Sequence, residues 1–313
     1  MIIGAEKEQA STVMDRVGPY IIGHVSNSDQ SHPIFNLPEI FGIEEGHQLY
    51  SFLYEMSITK HVLMLWIVAF VVSLFVIIPI RRYVRQSSYN PSKASSAIEA
   101  IAQFIRDSIV SPNVGPKWVN TWTPLVLTFF FFILFANGIG MIPIFDLLGV
   151  INKFVHSSFI DSLLHGGATA TGNFHVTAAL ASITFFAIII AGTKAHGFIN
   201  HWKNLVPHGL AWPVYIILIP IELMGMIVKP FALTMRLAAN MTGGHIAILA
   251  LLSLMAIFAE IFQSTVAGIG VALISVPMAT AISGLEIIVV LVQAYVFTLL
   301  TAVFIGMAIN VHH

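Results

Sequence analysis

Cysteine is absent from the 313 residues, which removes disulfides, thiolate metal sites and cysteine nucleophiles together and leaves the redox compartment open. Charge is almost as scarce. Only 9% of the residues are Asp, Glu, Lys or Arg, against about 25% in a soluble domain. Fourteen basic and fifteen acidic side chains leave a net charge of −1. No basic patch exists to neutralise phosphates, so a nucleic-acid partner is excluded. No nucleotide loop, nucleophile triad or haem motif occurs, and no cofactor is expected. The Gly138-Ile139-Gly140 triplet lies in an apolar run without the strand–turn–helix context of a phosphate loop, and so reads as packing or bending. No internal repeat or low-complexity tract is seen. Nor does an apolar stretch follow a basic start within residues 1–30, as it would in a cleavable signal.

What is present is hydrocarbon. The chain is 57% hydrophobic with a mean hydropathy of +0.87, so lipid is its main solvent and the expected fold is an all-α integral membrane protein of about five spans. Apolar runs place three ordinary spans at 61–80, 124–145 and 174–193. The second contains Phe129 to Phe132 and no charge. The runs at 209–259 and 264–310 each exceed 45 residues, roughly 70 Å as helix and more than twice a bilayer core of about 30 Å. Four ordinary spans would fit, as would two long tilted helices forming a hairpin. Polar turns are missing inside either run, which favours the hairpin, with Pro220, Pro230 and Pro277 as places to bend.

Residues 1–60 form an N-terminal extramembrane segment and 61–313 the membrane domain, with an outer loop at 146–173. In 90–110, Ala94, Ala97, Ile98, Ile101, Ala102, Ile105 and Ile109 recur at helical spacing among Lys93, Glu99, Arg106 and Asp107, which predicts an amphipathic surface helix. Arg81, Arg82 and Arg85 follow the first span, and Lys194 and Lys203 the third. Basic residues mark the cytoplasmic side, so the N-terminus lies outside and the C-terminus inside.

Ionisable groups inside spans cost about 2.5–3.5 kcal/mol each and are functional candidates by default. The first long run holds Glu222, Lys229, Arg236 and His245, and the second holds Glu286 and Gln293. At about 100° per residue, Arg236 and Asn240 stack one above the other, with Lys229 on the same side and Glu222 within about 40°. His245, nine residues beyond Arg236, points the opposite way. Glu286 and Gln293, seven apart, share a face. Plainer readings stand beside these. Arg236 can form a structural ion pair with Glu286, His245 can be a packing residue, and Glu222 and Lys229 can snorkel to the inner surface. Gln293 can simply bond between helices, and the glycines Gly243, Gly244, Gly268 and Gly270 can serve helix packing. His156, Asp161, His165 and His175 in the outer loop have no regular ligand spacing, so they read as solvated and no metal is expected.

The stretch Lys229-Pro230-Phe231-Ala232-Leu233-Thr234-Met235-Arg236-Leu237-Ala238-Ala239-Asn240-Met241-Thr242-Gly243-Gly244-His245 closely resembles the signature of subunit a of F-type ATP synthases. Glu286 followed by Gln293-Ala294-Tyr295, and Asn137 with Pro143, extend the resemblance over roughly 60–310. It implies a proton-translocating stator subunit of the membrane Fo sector. Arg236 would face a rotating c-ring of carboxylate-bearing subunits, between two offset half-channels. His245 and Glu286 would line the outer half-channel, with acid and histidine swapped relative to some members, and Glu222 the inner one. Asn240 and Gln293 would be polar partners of the arginine region. The family often carries an acid where Gly140 stands; Asp146 or the loop histidines could take its place. Implied partners are the c-ring, peripheral stalk subunit b, the remaining ATP synthase subunits and membrane lipid; the long polar N-terminal extension points to the inner membrane of a bacterium rather than an organelle membrane. Two rivals remain. A polytopic secondary ion transporter should show repeated halves with paired broken helices, and a respiratory pumping subunit should spread ionisable groups over several spans.

Overall fold

A computed structural model describes residues 12–25, 33, 35–43, 48–85, 93–142, 144–156, 160, 164, 169–203 and 212–310, apart from the side chains of 48, 83, 84, 144–147 and 212. Among the described residues the secondary structure is helical, with one isolated antiparallel bridge between Phe35 and Ile58. Five helices are long and apolar enough to cross a membrane: Lys60–Arg82, Val119–Gly140, Phe174–His196, Pro213–Ile261 and Thr265–Ile309. The chain is an all-α membrane protein.

The last two helices run unbroken for 50 residues (Trp212–Ile261) and 45 residues (Thr265–Ile309), or about 75 and 68 Å at 1.5 Å per residue. Pro220, Pro230 and Pro277 lie inside them, each removing one backbone donor without ending the helix. The reversal between the two helices is brief. Gln263 takes φ 49°, its N–H donates to the Glu260 carbonyl at 3.0 Å, and that of Ser264 donates to the Ala259 carbonyl at 3.1 Å. This is the Schellman pattern, with a non-glycine residue in the left-handed position. Gly268 then packs on the other arm, where an added Cβ would lie 2.8 Å from the Ala259 Cβ and 2.9 Å from the Met255 carbonyl.

The chain packs as two compact units. One comprises Met1–Lys60, Phe145–Ala168 and Thr242–Ile287; the other comprises His61–Ile144, Thr169–Met241 and Ile288–His313. The larger unit holds the apolar core. Ile105, Ile109 and Val114 of the surface helix meet Val126, Phe129 and Ile133 of the second span and Ala187 and Ala191 of the third. Leu233 and Leu237 of the first long helix and Phe297, Ala302 and Ile305 of the second close it. Phe129 and Phe297 meet edge to face, with ring centroids 5.4 Å apart, a favoured aromatic geometry. The first long helix contributes only a seam. Met226, Pro230, Leu233, Leu237 and Met241 are buried at three- and four-residue spacing, while Met224, Ile227, Val228 and Phe231 are exposed. Apolar exposure along a whole helix face suits lipid or another chain, not water.

Two expectations change on contact with the structure. The surface segment is helical from Lys93 to Phe104, then takes a wider π-helical turn at Ile105–Val110. Its inward line is Ser95, Ile98, Ala102, Ile105 and Ile109, whereas Ala94, Ala97 and Ile101 are exposed. The apolar set read from spacing merged two adjacent rows about 100° apart, only one of which packs. The expected outer loop at 146–173 carries a helix, Ile144–Val155, and a 3₁₀ turn at Ala170–Gly172. Leu148, Ile151 and Val155 recur there at helical spacing, a signal too short to register as a span. Asp161 and His165 fall outside the described residues, as do His312 and His313.

Gly197, at φ 84°, ends the third span, its N–H donating to the Thr193 carbonyl at 2.8 Å. The short helix Phe198–Lys203 folds back from it and buries His201. The imidazole lies where a side chain on Gly192 would be, and its Nε2 has no hydrogen-bond partner among the described residues. Burial pushes the His201 pKa down, and the nearby His196 adds to the shift. The folded value therefore lies below the unfolded one of about 6.5. Docking of the short helix is fully stabilised above that pH and weakens as pH falls from it through the lower folded value. Hydrogen exchange of Phe198–Lys203, corrected for intrinsic rate, should be flat above pH of about 6.5 and accelerate below it. Protection independent of pH down to about 5 would contradict this account.

Candidate functional site

In the larger unit, the buried seam of the first long helix fixes which of its polar residues stay outside. With Leu233, Leu237 and Met241 turned into the packing, Arg236 and Asn240 both emerge on the exposed side. Among the described residues Arg236 has no carboxylate within ion-pair distance, although its guanidinium stays charged at any reachable pH. Asn240 Nδ2 donates to Gln293 Oε1 at 3.0 Å, and Gln293 is buried. The amide of the second long helix thus anchors the residue one turn from the arginine.

The other inner candidates behave differently from one another. Glu222 is half-buried and forms no ion pair among the described residues. Lys229 packs its ammonium over the Phe304 ring, 5.7 Å from the centroid, a cation–π contact in place of simple snorkelling. Asn137 of the second span is fully buried. Its Oδ1 accepts a short hydrogen bond from the Thr171 hydroxyl, while its Nδ2 finds no acceptor among the described residues.

In the smaller unit His245 and Glu286 come together. His245 Nδ1 lies 2.9 Å from Glu286 Oε1. An ionised carboxylate only accepts, so the ring donates through Nδ1–H and leaves Nε2 for a second contact. Glu286 is 5% exposed, while the His245 side chain is 25% exposed, so the imidazole is the accessible member. The carboxylate has room because the neighbouring residue is glycine: a Cβ on Gly244 would stand 2.6 Å from Glu286 Oε1. Three turns away on the same helix as Glu286, Ser275 is buried, and its hydroxyl has no partner among the described residues. Nothing in the sequence singles out Ser275, Thr169 or Thr171, because serine and threonine are ordinary residues and no spacing distinguishes these from the rest.

The family profile described as ATP synthase A chain matches residues 62–306. The chain belongs to this family. Similar proteins bear this out along most of its length. The ATP synthase subunit a 2 of Chlorobium luteolum is 38% identical over 97% of this chain and 79% of its own length. The ATP synthase subunit a 2 of Prosthecochloris aestuarii is 38% identical over 82% of this chain and 69% of its own. The ATP synthase subunit a of an Anaeromyxobacter species is 38% identical over 83% of this chain, which spans 56% of that longer relative. Family membership makes the chain a multi-pass membrane component of an H⁺-transporting ATP synthase, with no catalytic role in ATP chemistry itself.

The residues that sequence spacing singled out thus fall into two arrangements, Asn240–Gln293 beside Arg236 and His245–Glu286. Asp146, named as a stand-in for the missing acid, has a side chain outside the described residues. The His245–Glu286 contact generates a stability test. His245→Ala strands a buried carboxylate, which should cost about 3 kcal/mol of subunit stability. Glu286→Gln in that background should recover part of it, so a double-mutant cycle gives a coupling of about 1 kcal/mol or more. Additive effects would show that the two side chains do not act as a pair.

Proposed function

We propose that this chain is the proton-translocating stator of the Fo sector and works through a half-site completed by another subunit. One observation carries the reading. Arg236 is a permanent cation on an exposed face of a long apolar helix, with no counter-ion among the described residues of its own unit. A charge in that setting costs about 2.5–3.5 kcal/mol, and the carboxylates of a c-ring would offset it as they pass. A nearby guanidinium favours the ionised carboxylate, so each ring carboxyl arriving at Arg236 gives up its proton. The same positive charge repels a proton that would cross directly from one half-channel to the other.

Two aqueous half-channels complete the mechanism. His245 and Glu286 serve the outer one. An imidazole can take a proton on one ring nitrogen and release one from the other, and so can pass it between water and the buried carboxylate. Asn137 belongs to the same path, and Glu222 receives protons on the inner side. Asn240, held by Gln293, keeps the surface around Arg236 polar and fixed. Each charge crossing 100 mV supplies about 2.3 kcal/mol, so several protons must pass for each ATP. The partners are the c-ring and peripheral stalk subunit b within the rest of the ATP synthase. The setting is a bacterial inner membrane, with the N-terminus outside and the C-terminus cytoplasmic, as the basic residues after the first and third spans direct.

Arg236→Ala in membranes holding the whole enzyme should lower ATP-driven proton pumping by at least about a hundredfold, the scale of losing a preorganised charge, while the complex still assembles. Normal pumping by an assembled Arg236→Ala enzyme would overturn the proposal.

A further inference from the structure

Buried polar groups gather at one end of the second span. Asn137, Gly140, Thr169, Thr171, Asn173 and Thr177 are all buried and all lie in the larger unit. None of the six carries a titratable side chain. Burying so many polar groups is costly unless their hydrogen bonds are used. Asn173 is occupied at the helix start, where its side chain accepts from the His175 N–H at 2.8 Å. The Thr177 hydroxyl donates to the Phe174 carbonyl at 2.9 Å. The Thr171 hydroxyl donates to Asn137 Oδ1, which leaves the Thr171 oxygen able to accept. Asn137 Nδ2 is a buried donor with no protein acceptor among the described residues, the kind of atom that a buried water satisfies.

Thr169 stands in a particular place. A Cβ added to Gly140 would lie 2.6 Å from Thr169 Cβ and 2.7 Å from its Cγ2, with the hydroxyl oxygen closer still. The threonine side chain therefore fills the volume that any side chain at position 140 would need. The turn that carries it is fixed by the Gly172 N–H donating to the Thr169 carbonyl at 3.1 Å. A hydroxyl occupies the space that an acid at 140 would fill.

We infer that Thr169 and Thr171, seated against Gly140 and Asn137, form a water-binding proton inlet that handles protons without a carboxylate. This rests on the proton-stator reading above. A hydroxyl accepts a hydrogen bond from one neighbour and donates its own proton to the next. A proton taken up on the oxygen is matched by one released, and the threonine is regenerated unchanged. Such a relay stores no charge in the buried site, so the inlet adds no carboxylate titration of its own to the conduction profile. Thr169 relays the proton in this scheme, one O–H bond forming at its oxygen as the other breaks.

The test is passive proton conduction through Fo in membranes stripped of the catalytic head, normalised to assembled complex. Thr169→Val keeps the shape and removes the hydroxyl; conduction should fall about tenfold, the scale of stranding a buried hydrogen-bond partner. Thr169→Ser should stay within about twofold, since it keeps the donor and acceptor. Gly140→Asp alone should assemble poorly. Combined with Thr169→Gly it should assemble and conduct, with a new inflection at pH of about 4–6, where a carboxyl titrates. Native conduction by Thr169→Val overturns the inlet, and so does Gly140→Asp matching the double variant in assembly and pH profile. Arg236→Ala separates the two readings: if it abolishes pumping while Thr169→Val conducts normally, only the inlet fails.

Discussion

A guanidinium cannot be discharged, and in hydrocarbon it must be answered by some other charge or by water. That constraint organises the longer of the two C-terminal helices. Its buried seam, from Met226 through Leu233 and Leu237 to Met241, is made of residues that need nothing from their surroundings. The seam holds the helix by one side only, and Arg236 is left on the other. Within its own unit the described residues offer no carboxylate to pair with it. Glu286, in the other unit, is held by His245 at 2.9 Å.

The length of the last two helices follows from the same demand. An ordinary span of about twenty residues has few turns in which to set polar residues at useful depth on one face. A helix of 50 residues carries Glu222 and Arg236 on one continuous element, where the 100° step sets their directions without any loop. The Schellman turn at Gln263 returns the chain at once, so that Asn240 can meet Gln293 and His245 can meet Glu286 across antiparallel helices. Helical carriers of this kind position side chains better than loops do.

Much of this is legible in the sequence alone, for a physical reason: period and hydropathy report on whole elements. The five long helices, the hairpin and the shared face of Arg236 and Asn240 all follow from 3.6-residue geometry acting over many turns. What escapes is local. The π-helical turn at Ile105–Val110 shifts the phase of a helix without leaving a mark in composition. The helix Ile144–Val155 is shorter than a span and sits inside what reads as loop. Thr169 and Thr171 matter only through their neighbours, and no spacing rule connects residue 140 to residue 169. His201 is likewise invisible, since its burial depends on Gly192 offering a gap.

That last case belongs to a pattern. Gly140 faces Thr169, Gly192 faces His201, and Gly244 faces Glu286; in each pair a polar side chain lies where the glycine's Cβ would have been. A helix surface bearing side chains keeps a neighbour's polar group at a distance, in contact with lipid or solvent. Removing one Cβ lets the group rest against the helix backbone, shielded from hydrocarbon. Small residues in membrane helices are usually credited with letting backbones approach one another. Here the same vacancy admits a functional group instead, and it does so for a hydroxyl, an imidazole and a carboxylate alike. The polar side chain and the opposing glycine then form one unit of design. Alanine at the glycine would displace the polar group while leaving every polar residue in the sequence unchanged. Loss of proton handling would then arise from a position that carries no chemistry of its own.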